Sequence, residues 1–110
     1  MVMHTDRTPE LSDLLCLTGK DGKEVRVIES VTSNWKSIAA TLDFDEYRIN
    51  TIELDYRNRT EACLEVFRRW RNEEHGLAKP PSWNTLIKCL NRAGFLDIAT
   101  NLKKTLLSEI

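Results

Sequence analysis

What this chain lacks narrows its function first. No apolar run approaches the roughly 18 residues that a membrane-spanning helix needs. No charged-then-apolar segment opens it as a secretory signal would. Cysteine is sparse: Cys16, Cys63 and Cys89 are odd in number and far apart. That pattern fits neither a disulfide framework nor a CxxC zinc site. Histidine is rarer still. His4 lies in a polar leader and His75 at the end of a helical pattern, so a serine or cysteine nucleophile finds no well-placed base. There is no glycine-rich phosphate loop. Charge of one sign is missing too: the net charge is −1, which argues against polyanion binding by bulk charge. No catalytic, metal-binding or cofactor role is expected. Asn58-Arg59-Thr60 fits a glycosylation sequon, but without a secretory signal it is read as accidental. A reducing, cytoplasmic setting is expected, as a free domain or as the intracellular part of a larger protein.

What is present suits one globular domain. The chain has 110 residues, 41% of them apolar and 30% charged, an ordinary globular composition. Residues 1–7 read as a frayed tail and 8–110 as a single helical domain. Thr8-Pro9 looks like a helix start, with Thr8 as N-cap and Pro9 at the first helical position, followed by Leu11, Leu14 and Leu15. Gly19 to Gly22 interrupts the pattern. "VRVIESV" from Val25 to Val31 reads locally as a strand, and "LLCLTGKDGKEVRVI" as a hairpin. A lone hairpin is marginally stable and everything downstream has a helical period, so helix is preferred over about Glu24–Val31. One helix, two helices and a hairpin all stay open for residues 8–31.

The remainder is helical. Asn34 caps a helix with Trp35, Ile38, Ala39 and Leu42 on one face. Asp45 caps the next, with Ile49, Ile52 and Tyr56 inward. Thr60 starts a long helix carrying Cys63, Leu64, Phe67 and Trp70, which Gly76 ends before the loop "GLAKPP". Ser82 caps another, with Trp83, Leu86, Ile87 and Leu90 on its stripe, and Gly94 takes a left-handed C′ position. A last helix aligns Ile98, Ala99, Leu102 and Leu106. The expected class is an all-α, six-helix antiparallel bundle whose first helix is bent or split.

Two stretches echo each other, "NWKSIAATL" from Asn34 and "SWNTLIKCL" from Ser82. Each gives a polar cap, then Trp, then apolar residues at +3, +4 and +7. The ring lies beside the first turn, where its N–H can reach a polar partner. Both read as core-facing helix starts, not as binding boxes. Cys63 reads as a core residue and Cys89 as half exposed on a helix flank.

The order of these features is specific. "NWKSIAATLDF" is followed by "INTIELD", "TEACLEVFRRW" and "SWNTLIKCLNRAGFLDIATNL". This succession resembles the death domain family. There a Trp opens the second helix, Ile-x-x-Ile-Glu marks the third, and Cys…Leu…Trp marks the fourth. A Trp followed by Leu-Ile-x-x-Leu forms the fifth, and Ala-x-x-Leu lies in the sixth. Trp35, Ile49, Ile52, Glu53, Cys63, Trp70, Trp83, Leu86, Leu90, Ala99 and Leu102 stand at the matching positions, and the resemblance covers about Leu11 to Leu106. It implies a homotypic interaction module that assembles into helical signalling oligomers, with cell-death, innate-immune and developmental pathways all open. The partners implied are other death-domain proteins or copies of this chain. The Gly-rich lead and the "HGLAKPP" loop depart from the family pattern.

Charge is segregated along the chain. Between Asp43 and Glu61 six acids face three arginines; from Lys79 to the end five bases face two acids, and "RRWR" precedes that stretch. Complementary patches allow head-to-tail binding, and a heterologous contact that does not close gives an open helix. The candidate partner-binding residues are Lys36, Asp45, Glu46, Arg48, Arg57, Arg59, Arg68, Arg69, Arg71, Lys88, Arg92 and Asp97. Tyr47 and Leu54 join them as an outward apolar pair seven residues apart. An adaptor module is the leading reading. The alternatives are a nucleic-acid-binding bundle using the Arg-rich fourth helix, or a caspase-recruitment or death-effector domain. Acids on that helix and a pI near 6.1 argue against nucleic acid. No membrane insertion is expected.

Overall fold

The computed structural model describes residues 7–19, 22–72 and 81–108, with side chains to Leu106. The leader before residue 7, the expected stop at Gly76 and the loop to Pro80 lie outside those residues. The described part is predominantly helical.

The lead is built from a helix, a hairpin and a second helix. Helix α1 spans Leu11–Leu15, and its flanking residue is Glu10, with no side-chain cap. Thr8 therefore does not start it. The Thr8 hydroxyl donates instead to the Pro81 carbonyl at 2.7 Å, a long-range bond that local pattern cannot reveal. Strand β1 (Leu17–Thr18) pairs antiparallel with β2 (Glu24–Val25), Leu17 opposite Val25. Gly22 sits in their turn at φ +81°. The helix expected over Glu24–Val31 thus begins only at Val27, as α2, Val27–Val31. The hairpin is not isolated, which is why it holds: Leu17 and Val25 are both buried, and β2 lies against the last helix, α7, Leu96–Ser108. A shared apolar face supplies what two strands alone lack.

A 3₁₀ turn, Thr32–Asn34, joins α2 to α3, Trp35–Thr41. Asn34 makes no side-chain cap. The Trp35 N–H already donates to the Thr32 carbonyl, so the preceding turn takes over part of the role a cap would play. The other expected caps form, with one shift. Asp45 accepts from the Arg48 N–H at 2.8 Å to open α4, Glu46–Asp55. Asn58, not Thr60, caps α5, Arg59–Arg71, accepting from Thr60 N–H at 2.8 Å. Ser82 accepts from Thr85 N–H at 3.1 Å to open α6, Trp83–Arg92.

The two Trp helices also end alike. Gly94 (φ +91°) donates its N–H to Asn91 O at 3.2 Å, and Phe95 N–H reaches back to Leu90 O at 2.8 Å. Asp43 (φ +72°) donates to Ala40 O at 3.1 Å, and Phe44 N–H to Ala39 O at 3.0 Å. Both are Schellman stops with an aromatic residue just beyond the left-handed position.

Helix α5 is central. It packs against α2, α3 and α4, while α6 packs against α3 and α7. The core holds Trp35, Ile38, Leu42, Ile52, Cys63, Phe67, Trp70, Trp83, Leu86, Leu90, Ala99 and Leu102. Ile49 is only half-buried, because α4 touches the bundle mainly through Ile52. Phe67 and Trp70 meet edge to face at 6.1 Å.

Candidate interaction surfaces

Helix α4 separates two charged surfaces. At its start lie Asp43, Asp45 and Glu46, all exposed. Arg48, the base among them, is bound to Asp45 at 2.7 Å. Beyond its end a polar groove of about 360 Å³ opens between the start of α3 and the start of α5. Lys36, Arg57 and Arg59 line it against the single acid Glu53, which pairs with Lys36. Arg57 and Arg59 have no acid partner among the described residues. The fold thus brings Lys36 of α3 beside Glu53, Arg57 and Arg59, a juxtaposition that spacing along the chain does not reveal.

The "RRWR" arginines are differently placed. Glu65 is a buried carboxylate on α5, with its side chain 6% exposed. Arg68 grips it from one turn on, Nε to Oε1 at 2.6 Å and Nη2 to Oε2 at 2.8 Å. Arg69 adds a bond at 2.7 Å. These guanidinium contacts hold the Glu65 carboxyl below its ordinary pKa against the opposing effect of burial. Arg71 turns to the lead, donating to the Pro9 carbonyl and to Glu10. All three arginines are therefore engaged within the molecule. Spacing could have signalled this, since Arg68 and Arg69 lie three and four residues after Glu65.

Tyr47 and Leu54 are 78% and 83% exposed on α4, as their spacing implies. Lys88 and Arg92 stand exposed one turn apart on α6, and Asp97 is exposed in the first turn of α7. Cys89 is not half exposed: it is buried, and its thiol donates to the Thr41 carbonyl at 3.1 Å, tying α6 to the end of α3. Cys63 is buried as well, and desolvation pushes its thiol pKa up to about 12. Cys16 is exposed.

Among the described residues no group of three or more His, Cys, Asp or Glu could hold a metal. None of their helices is long and apolar enough to cross a membrane. The expected indole contact fails at Trp83, whose buried Nε1 has no acceptor among the described residues.

No curated protein and no solved structure matches the chain. A family model does, and it covers most of the length. The death domain model aligns with residues 25–106, from β2 through the buried part of α7. It takes in both Trp helices, the acid-to-base span of α4 and the groove behind it, and on that match the chain belongs to the death domain family.

Proposed function

We propose that this death domain is a cytoplasmic adaptor module that assembles head to tail with other death domains or with copies of itself. In this reading α1 and α2 together serve as an interrupted first helix of a six-helix antiparallel bundle. The acidic front of α4 in one copy docks in the basic groove behind α4 in the next. Tyr47, exposed beside Glu46, supplies the aromatic anchor.

One observation carries this reading: opposite charges lie at the two ends of a single helix. A helix of ten residues is about 15 Å long, so front and groove cannot satisfy each other within one molecule. Between molecules they can, and the contact is heterologous, leaving a free front at one end of the growing chain and a free groove at the other. Charge complementarity sets partner choice and association rate. The nucleic-acid alternative has less support, since Arg68, Arg69 and Arg71 face their own acids and a carbonyl.

The test uses complementary charge reversals, read by light scattering across protein and salt concentration. Wild type self-associates more at low salt. Glu46→Arg loses the front and Arg59→Glu loses the groove, so each alone stays monomeric. Mixed one to one, they associate, because the intact front of the Arg59→Glu chain docks in the intact groove of the Glu46→Arg chain. A mixture that remains monomeric, or single variants that assemble like wild type, would overturn the proposal.

A further inference from the structure

We propose that Thr8 is a phosphorylation site for a proline-directed kinase, and that its modification releases residues 7–10 from the corner where α5 ends and α6 begins.

These residues form a strap over that corner. The Arg7 carbonyl accepts from the Trp83 N–H at 3.1 Å, and the Arg7 guanidinium lies 5.9 Å from the centre of the Trp83 ring. The Thr8 hydroxyl donates to the Pro81 carbonyl at 2.7 Å. Arg71 reaches up from the end of α5 to the Pro9 carbonyl and, at 3.1 Å, to Glu10. The strap precedes the family match, which begins at residue 25. It is this chain's own attachment to the start of α6.

Thr8 is the position where chemistry can switch it. Of three prolines, only Pro9 follows a hydroxyl residue. Proline fixes its own φ and pushes the residue before it to extended backbone, the form in which a kinase cleft can take an acceptor. Thr8 is exposed and lies outside any helix. In the transfer, Oγ1 attacks the γ-phosphorus of a nucleoside triphosphate. The new O–P bond forms as the bond to the β-bridging oxygen breaks, the nucleoside diphosphate leaves, and the hydroxyl proton passes to the kinase's catalytic carboxylate.

The product cannot keep the strap seated. Oγ1 has lost its hydrogen, so the Pro81 carbonyl has no donor and faces a group of about −2 charge. The nearby cations do not repair this. Arg7 is already engaged with Asp13 and the Trp83 ring, and Arg71 with Glu10 and Pro9. A phosphate that recruits either guanidinium draws it away from a contact that holds the strap. Release uncovers Pro81 and Trp83 and frees Arg71.

The chain is incubated with ATP and a proline-directed kinase, and phosphate is located by mass spectrometry. One phosphate is expected on wild type and none on Thr8→Ala. Amide exchange is then followed by NMR at Trp83, whose N–H the strap protects, with buried Val66 on α5 as reference. The phosphorylated chain should exchange at least tenfold faster at Trp83 with Val66 unchanged. Thr8→Val, which loses the bond without gaining charge, should show a smaller rise. No phosphate at Thr8, unchanged exchange at Trp83, or an equal rise at Val66 would each overturn the proposal.

Discussion

Replacing Trp83 with Phe should leave stability nearly unchanged, although the residue is fully buried. Trp83 is 0% exposed at the first position of α6, and its Nε1 has no acceptor among the described residues. Leaving such a donor buried and unpaired costs about 1–3 kcal/mol, which Phe would recover. Against that, Phe is smaller by roughly 40 Å³, and at ~24 cal/mol per Å³ the void costs about 1 kcal/mol. Lost apolar contact of roughly 40 Å² costs about another 1 kcal/mol. The contact with Arg7 weakens by about 0.5 kcal/mol. Gains and losses cancel to within about 1 kcal/mol, whereas Trp83→Ala, which vacates the whole site, should cost about 3–5 kcal/mol. Urea unfolding of the three proteins, compared through midpoint and slope, measures both differences. If Trp83→Phe cost as much as about 3 kcal/mol, the indole N–H would have to be bonded in solution, and the reasoning would fail.

Four further outcomes follow from other parts of the fold. Gly94→Ala should cost about 1–2 kcal/mol by thermal unfolding, from left-handed strain alone, since nothing lies within 4 Å of the added methyl. Asp43→Gly, at the equivalent position of α3, should gain about 0.5–1 kcal/mol. At pH 8 a thiol reagent should label Cys16 alone in the folded chain and all three cysteines in denaturant, because Cys63 and Cys89 are buried and burial holds the Cys63 thiol protonated; rapid loss of two or more thiols from the native protein would contradict this. Because the folded Glu65 pKa is depressed, its contribution is present above the ordinary value of 4.5 and is lost as pH falls through the folded value. Glu65→Gln should therefore cost about 1–2 kcal/mol at pH 7, less than a fully buried pair because Arg68 reaches water, and the difference from wild type should vanish in acid unfolding curves.

Features set by neighbours a few residues away were legible in the sequence. The Asp45 and Ser82 caps, the left-handed Gly94 and the buried stripes of α5 and α6 all depend on contacts within one or two turns. The misreadings share the opposite character. Thr8 has the right chemistry for a cap, but a carbonyl 73 residues away takes its hydroxyl. The hairpin looked too weak because the last helix, which covers β2, was not visible from Leu17 and Val25. Cys89 looked half exposed on α6 until the end of α3 was laid over it. Asn34 shows that even a local rule can be overridden, here by a 3₁₀ turn that continues straight into α3.

The same distinction governs the surface, and it reorders the candidate residues. Counted along the chain, "RRWR" is the densest basic feature and would be the first choice for a partner. Folded, Arg68 and Arg69 belong to Glu65 and Arg71 to the strap. Arg57 and Arg59 rank lower by density, yet they sit where α4 has ended and α5 has barely begun. The acids four residues before them, Glu53 and Asp55, are exposed, and Glu53 pairs with Lys36, so neither arginine is held as buried Glu65 holds Arg68. An arginine three or four residues after a buried glutamate is therefore better read as neutralising that glutamate than as waiting for a partner. Charge-reversal at Arg68 would test stability; charge-reversal at Arg59 tests recognition.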